Sequence, residues 1–233
     1  MRVLKGSAIK LLSKKLRWSL VLIADDHGKS EARCVVADML RNCDVKTLLL
    51  EVPSDSRAGS GCIASRVGMF YGSSLAQAAL GMRGMKEEAA ANLLGDNGYF
   101  STPDPYQNGF TQVGLDAEPN LRDLAGIAIS KSIPVVPCDT NYRAVVNMLN
   151  TSARGEPLPN NALFADQGIN FRDQLTARNV AKYRKESSIY TGLLMLWGVN
   201  HMKGNAYRIG LVQRLSELQI PVNLIMDPVR YLA

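Results

Sequence analysis

The chain contains two histidines, and both follow short apolar runs: Val21-Leu22-Ile23-Ala24-Asp25-Asp26-His27-Gly28 and Leu194-Met195-Leu196-Trp197-Gly198-Val199-Asn200-His201. Thr47-Leu48-Leu49-Leu50-Glu51 puts a carboxylate at the end of a similar run, and Asp139 follows Cys138 in the same way. A neutral imidazole accepts a proton near pH 7, and a neighbouring carboxylate orients it and stabilises its charged form. Two histidines and a glutamate are also a competent ligand set for a divalent metal with one position left for water. Residue type alone leaves both chemistries open. His27, Glu51 and His201 are therefore candidates for catalysis and for metal ligation. Glu31, four residues past His27 near a predicted helix start, reads either as a member of this group or as a first-turn acid that complements the helix dipole.

A second cluster, Phe171-Arg172-Asp173-Gln174-Leu175-Thr176-Ala177-Arg178-Asn179, reads as helix. A spacing of seven returns Arg172 and Asn179 to one face, and Leu175 shares a face with Arg172. An arginine aimed at a sheet can grip a carboxylate or an anionic substrate with two parallel hydrogen bonds. A solvated helix face carrying surface ion pairs is the alternative.

These side chains need a frame that brings them together. Short β-rich runs recur at Ser19 to Ala24, Lys46 to Glu51, Ile133 to Cys138, Ile189 to Trp197 and Val222 to Met226. Between them lie helical patterns at Glu31 to Arg41, Leu75 to Leu94, Asn120 to Lys131, Tyr142 to Leu149, Phe164 to Lys185 and Tyr207 to Leu218. Near-continuous apolar runs separated by helices predict an α/β fold of three layers, a mostly parallel central sheet with helices on both faces. Ligands of such sheets bind outside the carboxyl ends of the strands, where neighbouring ends are about 5 Å apart, so two histidines there can converge. Pro53 to Gly72 and Gly95 to Gly114 read as loops. With the helix between them they form an insertion at about 53–114, expected to cover the strand ends.

Composition sets the outer bounds. With 233 residues, 46% hydrophobic and 21% charged, the chain suits one domain spanning 1–233. Its net charge of +6 favours acidic ligands or surfaces. The bases are spread along the chain apart from Lys10, Lys14, Lys15 and Arg17, which read as a solvated helix face, and no arginine-rich arm with interleaved aromatics is present, so nucleic acid is not an expected partner. Cys34, Cys43, Cys62 and Cys138 form no Cys-x-x-Cys pair and read as reduced, buried thiols. The apolar run Ser19 to Ala24 is too short for a signal-peptide core, and nothing approaches the roughly 20 apolar residues of a membrane span. A soluble, cytoplasmic protein is expected, with signal-less secretion as the alternative.

Taken together, these segments resemble the superfamily that groups erythromycin-esterase-type enzymes, ChaN-like haem-binding proteins and the TraB/Tiki proteins. His27-Gly28-x-x-Glu31, preceded by Asp25 and Asp26, looks like the His-Gly-x-x-Glu segment that opens the esterase-type domain. Glu51 stands where those proteins close the second strand with a glutamate. Arg172-Asp173 followed by Ala177 and Asn179 is similar to their Arg-Asp-x-x-Met-Ala-x-Asn helix, with Thr176 in place of methionine. Trp197-Gly198-Val199-Asn200-His201 resembles both the esterase Trp-x-x-Asn-x-His segment and the Gly-x-x-His motif of the Tiki branch. The four pieces come in the family's order and bracket residues 20–210.

The resemblance implies three functions. The first is a hydrolase acting on a small molecule or peptide, in which His27 is the general base, helped by Glu51 or Asp25, while His201 and Arg172 stabilise the oxyanion or orient the substrate. Its Tiki-like variant places His27, Glu51 and His201 around a divalent metal, manganese, cobalt or zinc, that acidifies a bound water. The second is binding of haem or another tetrapyrrole, for which Tyr71, Tyr99 and Tyr106 are iron-ligand candidates. The third is a secreted effector or toxin domain whose basic N-terminal segment meets an anionic membrane surface.

Overall fold

In the computed structural model the described residues are 3–26, 29–53, 119, 121–139, 142–156, 162, 165–206 and 208–233. His27, Gly28, Cys62, the tyrosines at 71, 99 and 106, and nearly all of the predicted insertion lie outside them. So does the expected helix Leu75 to Leu94.

The chain starts with α1 (Gly6–Leu16) and β1 (Leu20–Asp25), then α2 (Glu31–Asn42) and β2 (Thr47–Pro53). After the insertion come α3 (Leu121–Ser130), β3 (Val135–Asp139), α4 (Tyr142–Ala153) and α5 (Asp166–Ser187). β4 (Leu193–Gly198), a 3-10 turn (Val199–His201), α6 (Leu211–Glu217), β5 (Val222–Ile225) and a last 3-10 turn (Pro228–Tyr231) complete it. The five strands form one sheet in the order β3-β2-β4-β1-β5, and every neighbouring pair is parallel. β4 therefore returns late in the chain to fill the slot between β1 and β2.

Every residue of β1 and β4 is buried, as the unbroken apolar runs require of strands covered on both faces. Alternation then divides them. Val21 and Ile23 of β1, with Leu48, Leu50, Leu194 and Leu196, pack under α1, α2 and α3. Leu20, Leu22 and Ala24, with Leu49, Met195 and Trp197, pack under α5 and α6. α4 adds Val145 and Leu149 against Phe171 and Leu175 of α5, on the outer side of that layer. The expected three-layer α/β architecture is thus the observed one. α2 is the central helix of its layer, with Ala32 through Leu40 all buried. Its polar members are paired: Asp38 accepts the Leu4 N–H at 2.6 Å, fastening the N-terminal segment to the helix.

The helix expected to end at Leu149 runs on to Ala153, and two element starts differ from the sequence expectation for local backbone reasons. β4 starts at Leu193, not Ile189, because Ser188 ends α5 in the left-handed region and Gly192 has φ +73°, so the chain between them turns and leaves Tyr190 exposed. α6 starts at Leu211, not Tyr207, because Gly210 just before it is extended and packs against the Met202–Gly204 backbone. A Cβ on Gly210 would lie 2.5 Å from the Gly204 nitrogen, an approach only glycine permits. Among the described residues Cys34, Cys43 and Cys138 are free, with Cys34 and Cys138 buried and Cys43 half-buried. No helix of the described residues is long and apolar enough to cross a membrane.

Candidate active site

All five parallel strands end on the same edge of the sheet, and three of them, β2, β3 and β4, lead polar side chains into one buried cluster. Glu51 continues the Leu49 side of β2 and therefore faces α5. One carboxylate oxygen accepts the Gly198 N–H of β4 at 2.5 Å, where the β2–β4 pairing runs out beyond Leu50 and Leu196. The other meets Arg172 at 2.9 Å and the His201 Nε2 at 3.4 Å. Asp139, the last residue of β3, receives the second half of the guanidinium, with Arg172 Nη2 at 2.6 Å and Nε at 3.4 Å. Arg172, 1% exposed, thus bridges the ends of β2 and β3.

α5 reaches this edge because its sheet-facing positions recur at helical spacing. Arg172, Thr176 and Val180 are all buried, and Asn179 donates to the Cys138 carbonyl at 3.2 Å, clasping the helix to β3. Leu175 turns instead to α4. Asp173, next to Arg172 and 100° round the helix, reaches the turn after β4, where its carboxylate lies 2.6 Å from His201 Nδ1. His201 is therefore held through Nδ1 by Asp173, with Nε2 turned to Glu51. The Trp197 ring packs edge-on against it, centroids 6.2 Å apart.

These contacts decide the charge of the imidazole. Burial pushes the His201 pKa down, but the Glu51 charge and the hydrogen bonds with Asp173 and Glu51 outweigh that and the opposing Arg172 charge, raising it to about 9. Burial also pushes the Asp173 carboxyl up, and His201, Arg172 and Arg208 only partly restore it. Both directions have one consequence, that the Asp173–His201 pair keeps a proton through neutral pH.

The structure brings Glu51, Arg172 and His201 together. Asp25 does not join them. It continues the Val21 and Ile23 side of β1, facing α2, and forms a buried pair with Arg33 at 3.4 Å. Glu31 is the half-buried first residue of α2, the acid of its first turn. His27 lies outside the described residues. Asp139 and Asp173 were visible in the sequence only as a strand-end acid and as the neighbour of Arg172. Arg208 was not singled out: its guanidinium sits 3.1 Å from Asp166, donates to the Asn200 carbonyl at 2.5 Å and stands 3.9 Å from Asp173.

A divalent metal at Glu51 and His201 would need a neutral imidazole and would share a carboxylate oxygen with a guanidinium 2.9 Å away. Its third expected ligand, His27, lies outside the described residues. The described arrangement suits a protonated histidine better than a metal ligand. Compared with protein-family models, with curated proteins and with solved structures, the chain matches none of them.

Proposed function

We propose that this protein is a hydrolase whose acyl-transfer site is built on His201, held between Asp173 and Glu51 beside the buried Arg172. The observation that carries the reading is the Asp173–His201–Glu51 chain, with 2.6 Å and 3.4 Å contacts on the two ring nitrogens and Arg172 alongside. A buried acid on Nδ1 fixes the tautomer and orientation of a catalytic imidazole. Charge developing on a substrate carbonyl oxygen, as water adds to the carbon, is stabilised by N–H donors preorganised in a dry site, the part assigned to His201 and Arg172. His201 then holds a proton that the departing oxygen or nitrogen can take as the bond to carbon breaks. His27, two residues beyond the end of β1 in the sequence, is assigned the base that takes the proton of the attacking water, on its residue type and position alone.

The order and spacing of the motifs, similar to those of the erythromycin-esterase and Tiki superfamily, support the same reading. A soluble, cytoplasmic setting belongs to it and agrees with free thiols at Cys34, Cys43 and Cys138. The metal-dependent variant is the second reading. What favours it is Asp173, since an acid on the far nitrogen is the usual support of a ligating histidine. Elemental analysis of chelator-free protein separates the two: a stoichiometric divalent metal lost in His201→Ala selects the second.

The test is hydrolysis of a panel of activated esters and amides by the wild-type protein and by His201→Ala. The variant is expected to lose about 10²- to 10⁴-fold in rate while keeping its circular-dichroism spectrum. Equal rates would remove His201 from the chemistry.

A further inference from the structure

The net charge is not shared out along the chain. Of its 27 bases and 21 acids, six bases and no acid fall in residues 1–24, which leaves the other 209 residues balanced at 21 of each. Most of these bases sit on or beside α1. The helix buries Ala8, Leu12 and Leu16 against the sheet, while Lys10, Lys14 and Arg17, at spacings of four and three, are exposed on its outer side. Two large apolar side chains share that outer side seven residues apart: Leu11, 46% exposed, and Trp18, 75% exposed, the most exposed of the large hydrophobic residues described. Val3 and Val229 extend the apolar exposure at the amino end of the helix, where Lys5 bonds the backbone of residues 230 and 231.

We infer that the outer face of α1 docks on an anionic membrane surface. Bases flanking an exposed tryptophan and leucine on one helix face suit the headgroup region of a bilayer, where indole sits at the interface and lysines stay among the phosphates. Lys10, Lys14 and Arg17 supply the electrostatic attraction, and Leu11 and Trp18 the shallow burial. Nothing acidic on α1 opposes it. α1 covers the sheet face opposite α5 and α6, so docking leaves the layer that carries Arg172 and Asp173 turned away from the membrane. This surface is independent of the hydrolytic reading.

The experiment is flotation of the whole protein with vesicles of phosphatidylcholine containing about one third phosphatidylserine, against vesicles of phosphatidylcholine alone. Binding is expected only to the anionic vesicles and should fall as salt rises. The chain has two tryptophans, and Trp197 is already buried, so a blue shift of fluorescence on binding reports Trp18. The triple variant Lys10→Gln, Lys14→Gln, Arg17→Gln should bind about a hundred-fold more weakly. Trp18→Ser should remove the blue shift. All of these residues are half-buried or more exposed, so both variants should keep the wild-type melting temperature. Equal binding to neutral vesicles, or anionic binding unchanged in both variants, overturns the inference. So does retention of a nucleic-acid duplex, in place of vesicles, that the triple variant abolishes.

Discussion

Arg172 is the residue on which the cluster balances. Its guanidinium faces Glu51 and Asp139, all three more than nine-tenths buried. Removing one member of a buried ion network leaves the others uncompensated. Arg172→Ala should therefore destabilise the fold by about 3–5 kcal/mol, read from denaturant unfolding, with Arg172→Lys intermediate because an ammonium cannot span two carboxylates as a planar fork does. A wild-type-like midpoint for Arg172→Ala would show that the network contributes nothing to stability. Of this cluster, Glu51, Arg172 and His201 were legible in the sequence, since each ends an apolar strand run or lies on a helix face with a chemical type that stands out. Asp173 was not, because adjacent helix positions point 100° apart and a sequence cannot say that both directions meet the same sheet edge. Here they do: Arg172 reaches β2 and β3 while Asp173 reaches the turn after β4.

Among the elements, the strands were readable because burial on both faces imposes unbroken apolar runs, and α2 and α5 fell within two residues of expectation. The failures lie where local backbone overrides composition. Ile189 and Tyr190 look like strand residues, yet left-handed Ser188 and Gly192 turn the chain there. Arg208 stands beside Asp173 with Gly204 and Gly210, on either side of it in the chain, in close backbone contact, which pattern alone does not foretell. Gly210→Ala forces a Cβ against the Gly204 and Lys203 backbone, at 2.5–2.6 Å. It should lower stability by about 1–3 kcal/mol and shift the loop that carries Arg208, reducing turnover along with the melting temperature. An unchanged melting temperature would mean that the loop accommodates the methyl group freely.

The whole molecule joins distant parts of the chain in one sheet: β1, from residues 20–25, lies between β4 and β5, from residues 193–198 and 222–225. One cooperative unfolding step is expected, so circular dichroism and Trp197 fluorescence in the Trp18→Ser protein should give coincident transitions. Separated transitions would divide the sheet into independent units. The same interleaving makes the site, since strands widely spaced in sequence deliver Glu51, Asp139 and His201 to one edge. There His201 is held as a cation, and the sign of its pH dependence follows. Its folded pKa exceeds the ordinary 6.5, so its share of stability is present below about 6.5 and is lost as pH rises through about 9. The most direct test is an NMR titration of the His201 ring, assigned against His27→Gln in a chain with two histidines. His201 should titrate near 9, and Asp173→Asn should lower this value. An ordinary histidine titration near 6.5, indifferent to Asp173→Asn, would mean that Asp173 and Glu51 do not hold the imidazole as a cation.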